Sequence, residues 1–243
     1  MKKFSLLIAL LLVTFTVPVL TKANPVNSKT SITGNKIVTT QDRQITSFHA
    51  LKVSGGIDVE LSQGNTLKLQ VEADENLLAL IRTEVKDGVL NIYPSESIRD
   101  AKTLKIHLTF QKIDAITASG GCDIESKHKL SFDILKVDLS GGCDIELDCK
   151  ADKLVCKQSG GCDAEFKGEA ESGAFDVSGG CDVEASEFRL KNCSVDASGG
   201  SDVAVFAVGE LSMKASGSSD ITYSGNPSKV IKSATGASDI KVK

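Results

Sequence analysis

Tryptophan is absent from the 243 residues, and tyrosine and phenylalanine together supply only 5% aromatics. Flat side chains that stack on sugars or bases are therefore scarce. Histidine occurs three times, at His49, His107 and His128, in unrelated places with no partner motif. Nucleophile elbow, phosphate loop and zinc-binding helix are all missing, which removes the commonest catalytic frames. The seven cysteines include no Cys-x2-Cys pair of the kind a zinc site prefers. Basic residues do not dominate: 28 stand against 32 acidic ones. That balance does not suit nucleic acid, where affinity comes mainly from neutralising phosphates. Beyond residue 20 no apolar run is long enough to cross a bilayer as a helix. What remains is 41% apolar content, ample for one sizeable core.

The N-terminus is the one long apolar stretch. Met1-Lys2-Lys3 precedes an apolar run from Phe4 to Leu20 that contains Pro18, and Thr21-Lys22-Ala23 follows. A basic start, an apolar centre and small residues at the end make a secretory signal over 1–23, with cleavage expected before Asn24. No cysteine follows the run to accept a lipid. Removing Lys2, Lys3 and Lys22 from the 28 basic residues leaves 25 against 32 acidic, a net charge of −7 for the exported chain.

Self-similarity organises the remainder. The stretch Ser-Gly-Gly-x-Asp-Val/Ile recurs with small variations from Ser54, Ser119, Ser140, Ser159, Ser178, Ser198, Ser216 and Thr235. From the second copy on, the intervals are 21, 19, 19, 20, 18 and 19 residues, and 14 of the 21 glycines lie in the copies. Each copy is flanked by alternating residues, as in Leu135-Lys136-Val137-Asp138-Leu139 before the glycines and Cys143-Asp144-Ile145-Glu146-Leu147 after them. Both read as half-buried strands with one apolar face. The unit is a strand, a fixed glycine turn, a strand and a looser turn. Alone it cannot bury its apolar face, but stacked copies share a core. The alternative is an antiparallel meander folded into a sandwich. A meander, however, has no reason to hold one spacing or to repeat one residue at each turn, so the expectation is a two-sheet β-solenoid of ~19-residue coils.

Between Ser54 and Ser119 the motif appears once, and the region reads as an N-terminal β cap. Leu67–Val71 and Leu104–Leu108 alternate as strands, Asp74–Ile81 begins with an acidic cap suited to a short helix, and Thr83–Tyr93 forms a hairpin around Asp87-Gly88. Lys241-Val242-Lys243 puts charge on the last strand, which discourages edge pairing.

The segments Ser54-Gly55-Gly56-Ile57-Asp58-Val59-Glu60-Leu61 and Val71-Glu72-Ala73-Asp74-Glu75-Asn76-Leu77-Leu78, with the repeats from Ser119 onward, resemble the auto-transporter adhesin head family called the GIN domain. The resemblance runs from about Phe48 to the C-terminus. It implies an all-β fold, a right-handed parallel β-helix with glycine turns, and an adhesive role without catalytic residues or cofactor. The repeats leave no room for a membrane barrel of many ~10-residue strands, so a head-like module is expected. The implied organisation is a signal peptide at 1–23, a poorly ordered leader at 24–44, and one GIN-like domain at 45–243, divided into a cap at 45–118 and a solenoid at 119–243.

Aligned copies stack like residues. One column holds Asp58, Asp123, Asp144, Asp163, Asp182, Asp202, Asp220 and Asp239, and another holds Glu60, Glu125, Glu146, Glu165 and Glu184. The residue between each pair, such as Ile124 or Ile145, faces the core, so both carboxylates point outward. Stacked charges ~4.8 Å apart repel by roughly 1 kcal/mol in water. Two answers are available: each aspartate accepts N–H bonds from its own glycine turn, or Asp123, Asp144, Asp163 and Asp182 hold a cation such as Ca²⁺. The turn reading is preferred because aspartate persists in the last copies, where glutamate is lost.

Cys122, Cys143, Cys162 and Cys181 form an inward column whose slot is Ile57 in the first copy and Ser201, Ser219 and Ser238 in the last three. That is a packing slot, and buried reduced thiols are expected there. Cys149 and Cys156 flank a looser corner and are the best local candidates for a disulfide; Cys193 completes the odd count. The expected function is an exported envelope or secreted module that binds an unidentified protein or glycan. The alternatives are a carbohydrate-active β-helix enzyme and a purely structural periplasmic protein. A catalytic carboxylate pair should be singular, whereas these recur in every coil.

Overall fold

A computed structural model describes residues 31–243; the secretory signal expected at 1–23 lies outside them. The cap contains β1 (Ile32–Thr33), β2 (Val38–Arg43), β3 (Ala50–Ser54), β4 (Asp58–Gln63), β5 (Lys68–Asp74), β6 (Ile81–Lys86), β7 (Val89–Pro94), β8 (Ile98–Arg99) and β9 (Leu104–Phe110). The coils follow as β10 (Ala115–Ser119), β11 (Asp123–Ser126), β12 (Leu130–Ser140), β13 (Asp144–Gly160), β14 (Asp163–Gly179) and β15 (Asp182–Gly199). The last coils are β16 (Asp202–Ala207), β17 (Glu210–Ala215), β18 (Asp220–Gly225), β19 (Lys229–Ala234) and β20 (Asp239–Val242). The fold is all-β: a two-faced solenoid of about seven turns preceded by a mixed β region.

Every coil-to-coil pairing is parallel and joins equivalent positions of the repeat. Asp144 stands beside Asp123 and Asp163, and Ile145 beside Ile124 and Ala164. On the other face Ser119, Ser140, Ser159, Ser178 and Ser198 align. The looser corner is no break in the middle coils. Strands β13, β14 and β15 run 17, 17 and 18 residues straight through it, so one strand serves both faces.

The glycine turn is more specialised than a flexible hinge. In the copies up to Gly142 both glycines have positive φ, as at Gly141 (75°) and Gly142 (82°). From Gly160 on only the first glycine does: Gly160 (100°), Gly179 (97°), Gly199 (83°), Gly217 (79°) and Gly236 (79°). The second position is then ordinary backbone, which explains how Ser218 and Ala237 can occupy it in the last two copies.

The cap ends both faces with antiparallel strands. On one face β9 lies parallel to β4, β5 runs antiparallel to β9, and β2 antiparallel to β5. On the other, β7 is parallel to β3 and β6 returns antiparallel to it through the expected Asp87-Gly88 hairpin. The expected leader at 24–44 therefore differs in its described part, since β2 is a full strand of six residues. Its side chains are largely exposed, so backbone bonds to β5 hold it. An edge strand of that kind leaves no apolar period to read.

The expected short helix is a 3-10 helix at Glu75–Leu80, but Asp74 does not cap it with its side chain. Asp74 is fully buried. It accepts backbone N–H bonds from Lys36 (2.9 Å), Lys102 (3.0 Å) and Thr103 (3.3 Å). Burial alone would raise its pKa, but these donors outweigh it and hold the carboxyl below the usual aspartate range.

The core is the interior between the two faces. Ile57, Val59, Leu61, Ile106, Ile124, Ile145, Leu147 and Val183 are buried from one side, and Leu51, Val53, Ile116, Val137, Leu139 and Val177 from the other. Phe166 sits 5.9 Å from Phe188 and 6.1 Å from Phe175, centroid to centroid. All seven cysteines are buried and free, including Cys149 and Cys156. Both lie within the continuous strand β13, and the expected bridge between them is not formed. In the column, each thiol donates to the carbonyl three residues back: Cys143 Sγ to Ser140 O at 3.3 Å and Cys181 Sγ to Ser178 O at 3.2 Å. Ser201 and Ser219 make the same bond at 3.0 and 2.8 Å. The slot shared by cysteine and serine is thus an inward, hydrogen-bonded rung.

Candidate functional site

The carboxylate columns meet on the face formed by β4, β11 and the first halves of β13, β14 and β15. Strand alternation points Ile124, Ile145 and Val183 inward and leaves the flanking Asp and Glu outside. Together they line a shallow groove of about 490 Å³ running from Asp58 and Lys105 to Asp182 and Glu184. The four candidate residues Asp123, Asp144, Asp163 and Asp182 lie in it side by side, one per coil.

The turn explanation for these aspartates is not what the structure contains. Turn N–H groups donate to carbonyls of neighbouring coils: Gly120 N to Ser140 O (3.2 Å), Gly141 N to Ser159 O (3.3 Å) and Gly180 N to Gly160 O (2.8 Å). Parallel stacking engages the donors that an isolated turn would offer its own aspartate. Among the described residues Asp123, Asp144, Asp163 and Asp182 have no ion pair. Partial burial raises the pKa of Asp123, and the charges of Asp144 and Glu125 raise it further. Asp163 is raised by burial and then by Asp144 and Asp182, with the N–H of Asp182 partly offsetting them. Asp58 is raised by burial and by Asp123.

The glutamate column is balanced differently. Glu60 pairs with Lys127 (3.1 Å) and with Nδ1 of His107 (3.2 Å), whose Nε2 meets Glu72 at 3.0 Å. Despite its burial, those bonds hold Glu60 below the usual range. Lys105 pairs with Glu125 (2.6 Å), and Lys167 bridges Glu165 (2.6 Å) and Glu146 (3.2 Å). So the glutamate row is largely matched by basic side chains. The aspartate row is bare at Asp123, Asp144, Asp163 and Asp182 and paired at its end, where Lys241 meets Asp239 at 2.8 Å. Neighbouring carboxylates across coils do not converge on a point. Among the described residues no group of three or more His, Cys, Asp or Glu is placed to hold a metal ion.

The histidines do not assemble a catalytic set. His49 lies 3.4 Å from Asp114, His107 is clamped between Glu60 and Glu72, and His128 Nε2 accepts from Gln63 N at 3.3 Å. The clamp joins residues 47 and 35 positions apart in sequence, and no local motif announces it.

Solved structures share this architecture. An adhesin-like protein from Bacteroides fragilis aligns with a TM-score of 0.82 at 24% identity, over 88% of this chain and 100% of that one. A protein from Parabacteroides distasonis described as lipid binding gives 0.75 at 21%, over 88% and 100%. A further adhesin-like protein from Parabacteroides merdae gives 0.71 at 20%, over 88% and 99%. At these identities the likeness establishes the fold alone. No curated protein matches. The model of the family described as "Putative auto-transporter adhesin, head GIN domain" matches residues 47–227, and with the repeat, the glycine turns and the two-faced solenoid in hand, the chain belongs to that family.

Proposed function

We propose that the protein is an exported, non-catalytic binding module of the adhesin type, with the acidic face as its recognition surface. The observation that carries this is the bare aspartate row: Asp123, Asp144, Asp163 and Asp182 repeat once per coil without counter-charges among the described residues, beside a largely neutralised glutamate row. A row of outward carboxylates at strand spacing suits a partner presenting several cationic groups in line, whether a basic protein segment or an amino-bearing glycan. Such recognition gains specificity and association rate from charge. The signal at 1–23 and the family's adhesin description support export, with the mature chain beginning at Asn24. The same carboxylates recur coil after coil, which favours a surface over a singular catalytic pair.

Binding of the exported chain to immobilised poly-lysine and to chitosan tests the reading. The expected result is saturable binding to at least one, weakened at least tenfold when Asp123, Asp144, Asp163 and Asp182 are all changed to Asn. Binding to neither, or full binding by the fourfold variant, refutes it. Protease treatment of intact cells, with N-terminal sequencing of the released chain, tests location. A chain retaining Met1 in the membrane contradicts export.

A further inference from the structure

A second concavity, separate from the acidic groove, lies where the cap meets the first full coils. It encloses about 330 Å³, at the lower end of the range of small-molecule sites. Its floor is apolar: Ile113 and Phe132 are buried, while Ile134, 44% exposed, stands at the edge as one of few large apolar side chains open to water. At the equivalent corner of the next coils Ala151 and Lys153 stand in the register of Phe132 and Ile134. The concavity there is lined by charged residues such as Lys150, Asp152, Glu169 and Arg189, without a large apolar floor. The rim carries both signs of charge. His49 faces Asp114 at 3.4 Å and Lys112 faces Asp133 at 3.3 Å. Lys136, also on the rim, makes no ion pair among the described residues.

Catalysis does not fit this cavity. Ser131 borders it, but His49 is turned elsewhere: its Nδ1 faces Asp114, and its other edge packs so closely on Gly88 that a Cβ there would meet Cδ2 at 2.6 Å and Nε2 at 2.8 Å. Ser131 is itself pinned through its backbone by Gln63, whose Oε1 accepts from Ser131 N (2.8 Å) while its Nε2 donates to Ser131 O (2.9 Å).

We propose that this cavity binds a small monocarboxylate with a compact apolar body, the body on Ile113, Phe132 and Ile134 and the carboxylate on Lys136. Asp133 already faces Lys112 and Asp114 faces the His49 ring, so the rim cation left without a carboxylate is Lys136, and an anionic head meets it. The volume admits a branched or aryl body and excludes a long acyl chain. The site is independent of the acidic face, and either can fail without the other.

Amide NMR titrations with 3-phenylpropionate, 3-phenylpropanol and 3-phenylpropylamine, which share one body, test it. The carboxylate should shift amides of 112–114 and 131–136 saturably and bind about tenfold more tightly than the alcohol, as a charge-assisted bond implies. Lys136→Gln should bring the carboxylate to the level of the alcohol, and Ile134→Ser should weaken both. Equal affinity for all three compounds, preference for the amine, or no saturable shift at these amides overturns the proposal.

Discussion

Replacing Gly179 by alanine should be among the most damaging methyl additions possible in this chain, while the same change at Gly180 should be harmless. Gly179 has φ of 97°, a region that costs an L-residue about 1–2 kcal/mol. A Cβ there would lie 2.5 Å from Gly160 O and 3.0 Å from Gly160 N. Both are backbone atoms of the neighbouring coil, so relief requires parting two coils, an overpacking cost of about 1–3 kcal/mol. The sum is about 2–5 kcal/mol, a large share of the ~5–15 kcal/mol a domain holds. Gly180 has no positive φ, and its nearest neighbour would be Gly160 O at 4.0 Å. Alanine there restricts the unfolded chain and should be neutral or stabilise by up to about 1 kcal/mol, in line with Ser218 and Ala237 at equivalent positions. Urea titration followed by far-UV circular dichroism reads both, with the slope checked for loss of cooperativity. A Gly179→Ala midpoint matching wild type, or equal damage from Gly180→Ala, would refute the reasoning.

Three further outcomes follow from the same geometry. Cys143→Ser should cost about 1–2 kcal/mol or less, because Ser201 and Ser219 already make the rung that Cys143 makes to Ser140. Ile145→Asp should threaten folding by burying an unpaired carboxylate, and denaturant melts that rank the two alike would contradict this. The seven thiols should be silent to Ellman's reagent in the native state and all react once unfolded. Burial pushes Cys149 and Cys193 to about 12, so rapid native labelling or a count below seven would be inconsistent. Asp123→Asn should raise the unfolding free energy at neutral pH by about 0.5 kcal/mol or less, given its exposure. Because its folded pKa is raised, the native state takes up a proton more readily than the unfolded chain. The advantage of the variant should therefore shrink as pH falls through that raised value toward 3.8; an advantage that grows on acidification would reverse the assignment.

The solenoid was legible because its turn demands glycine for two reasons at once, backbone angle and close approach, and that demand recurs in the text of the chain. The inward columns were legible through alternation. What escaped is non-local. β2 could not be read because it is held by backbone pairing and shows water most of its side chains. Asp74 looked like a helix cap because only its neighbours in sequence were visible, whereas its donors come from Lys36, Lys102 and Thr103. The aspartate row was assigned to its own turn for the same reason: an isolated repeat offers those N–H groups, and a stacked one does not. The partners of Glu60 and Glu125 arrive from Lys127, His107 and Lys105, 67, 47 and 20 residues away. The small cavity is built by Ile113, in the connection between β9 and β10, and Phe132, on β12.

The equivalence of positions in successive coils makes the length of the protein a quantised property. Excising the 19 residues from Asp144 to Cys162 would join Cys143 to Asp163, and every residue of β12 that now faces β13 would find its counterpart on β14. The cap and the last coils would keep their neighbours' chemistry. Each such event shortens the body by one strand spacing, ~4.8 Å, and each duplication lengthens it by the same step. Reach is thus a variable that can change in whole coils, by deletion or duplication of one repeat, without redesigning a core.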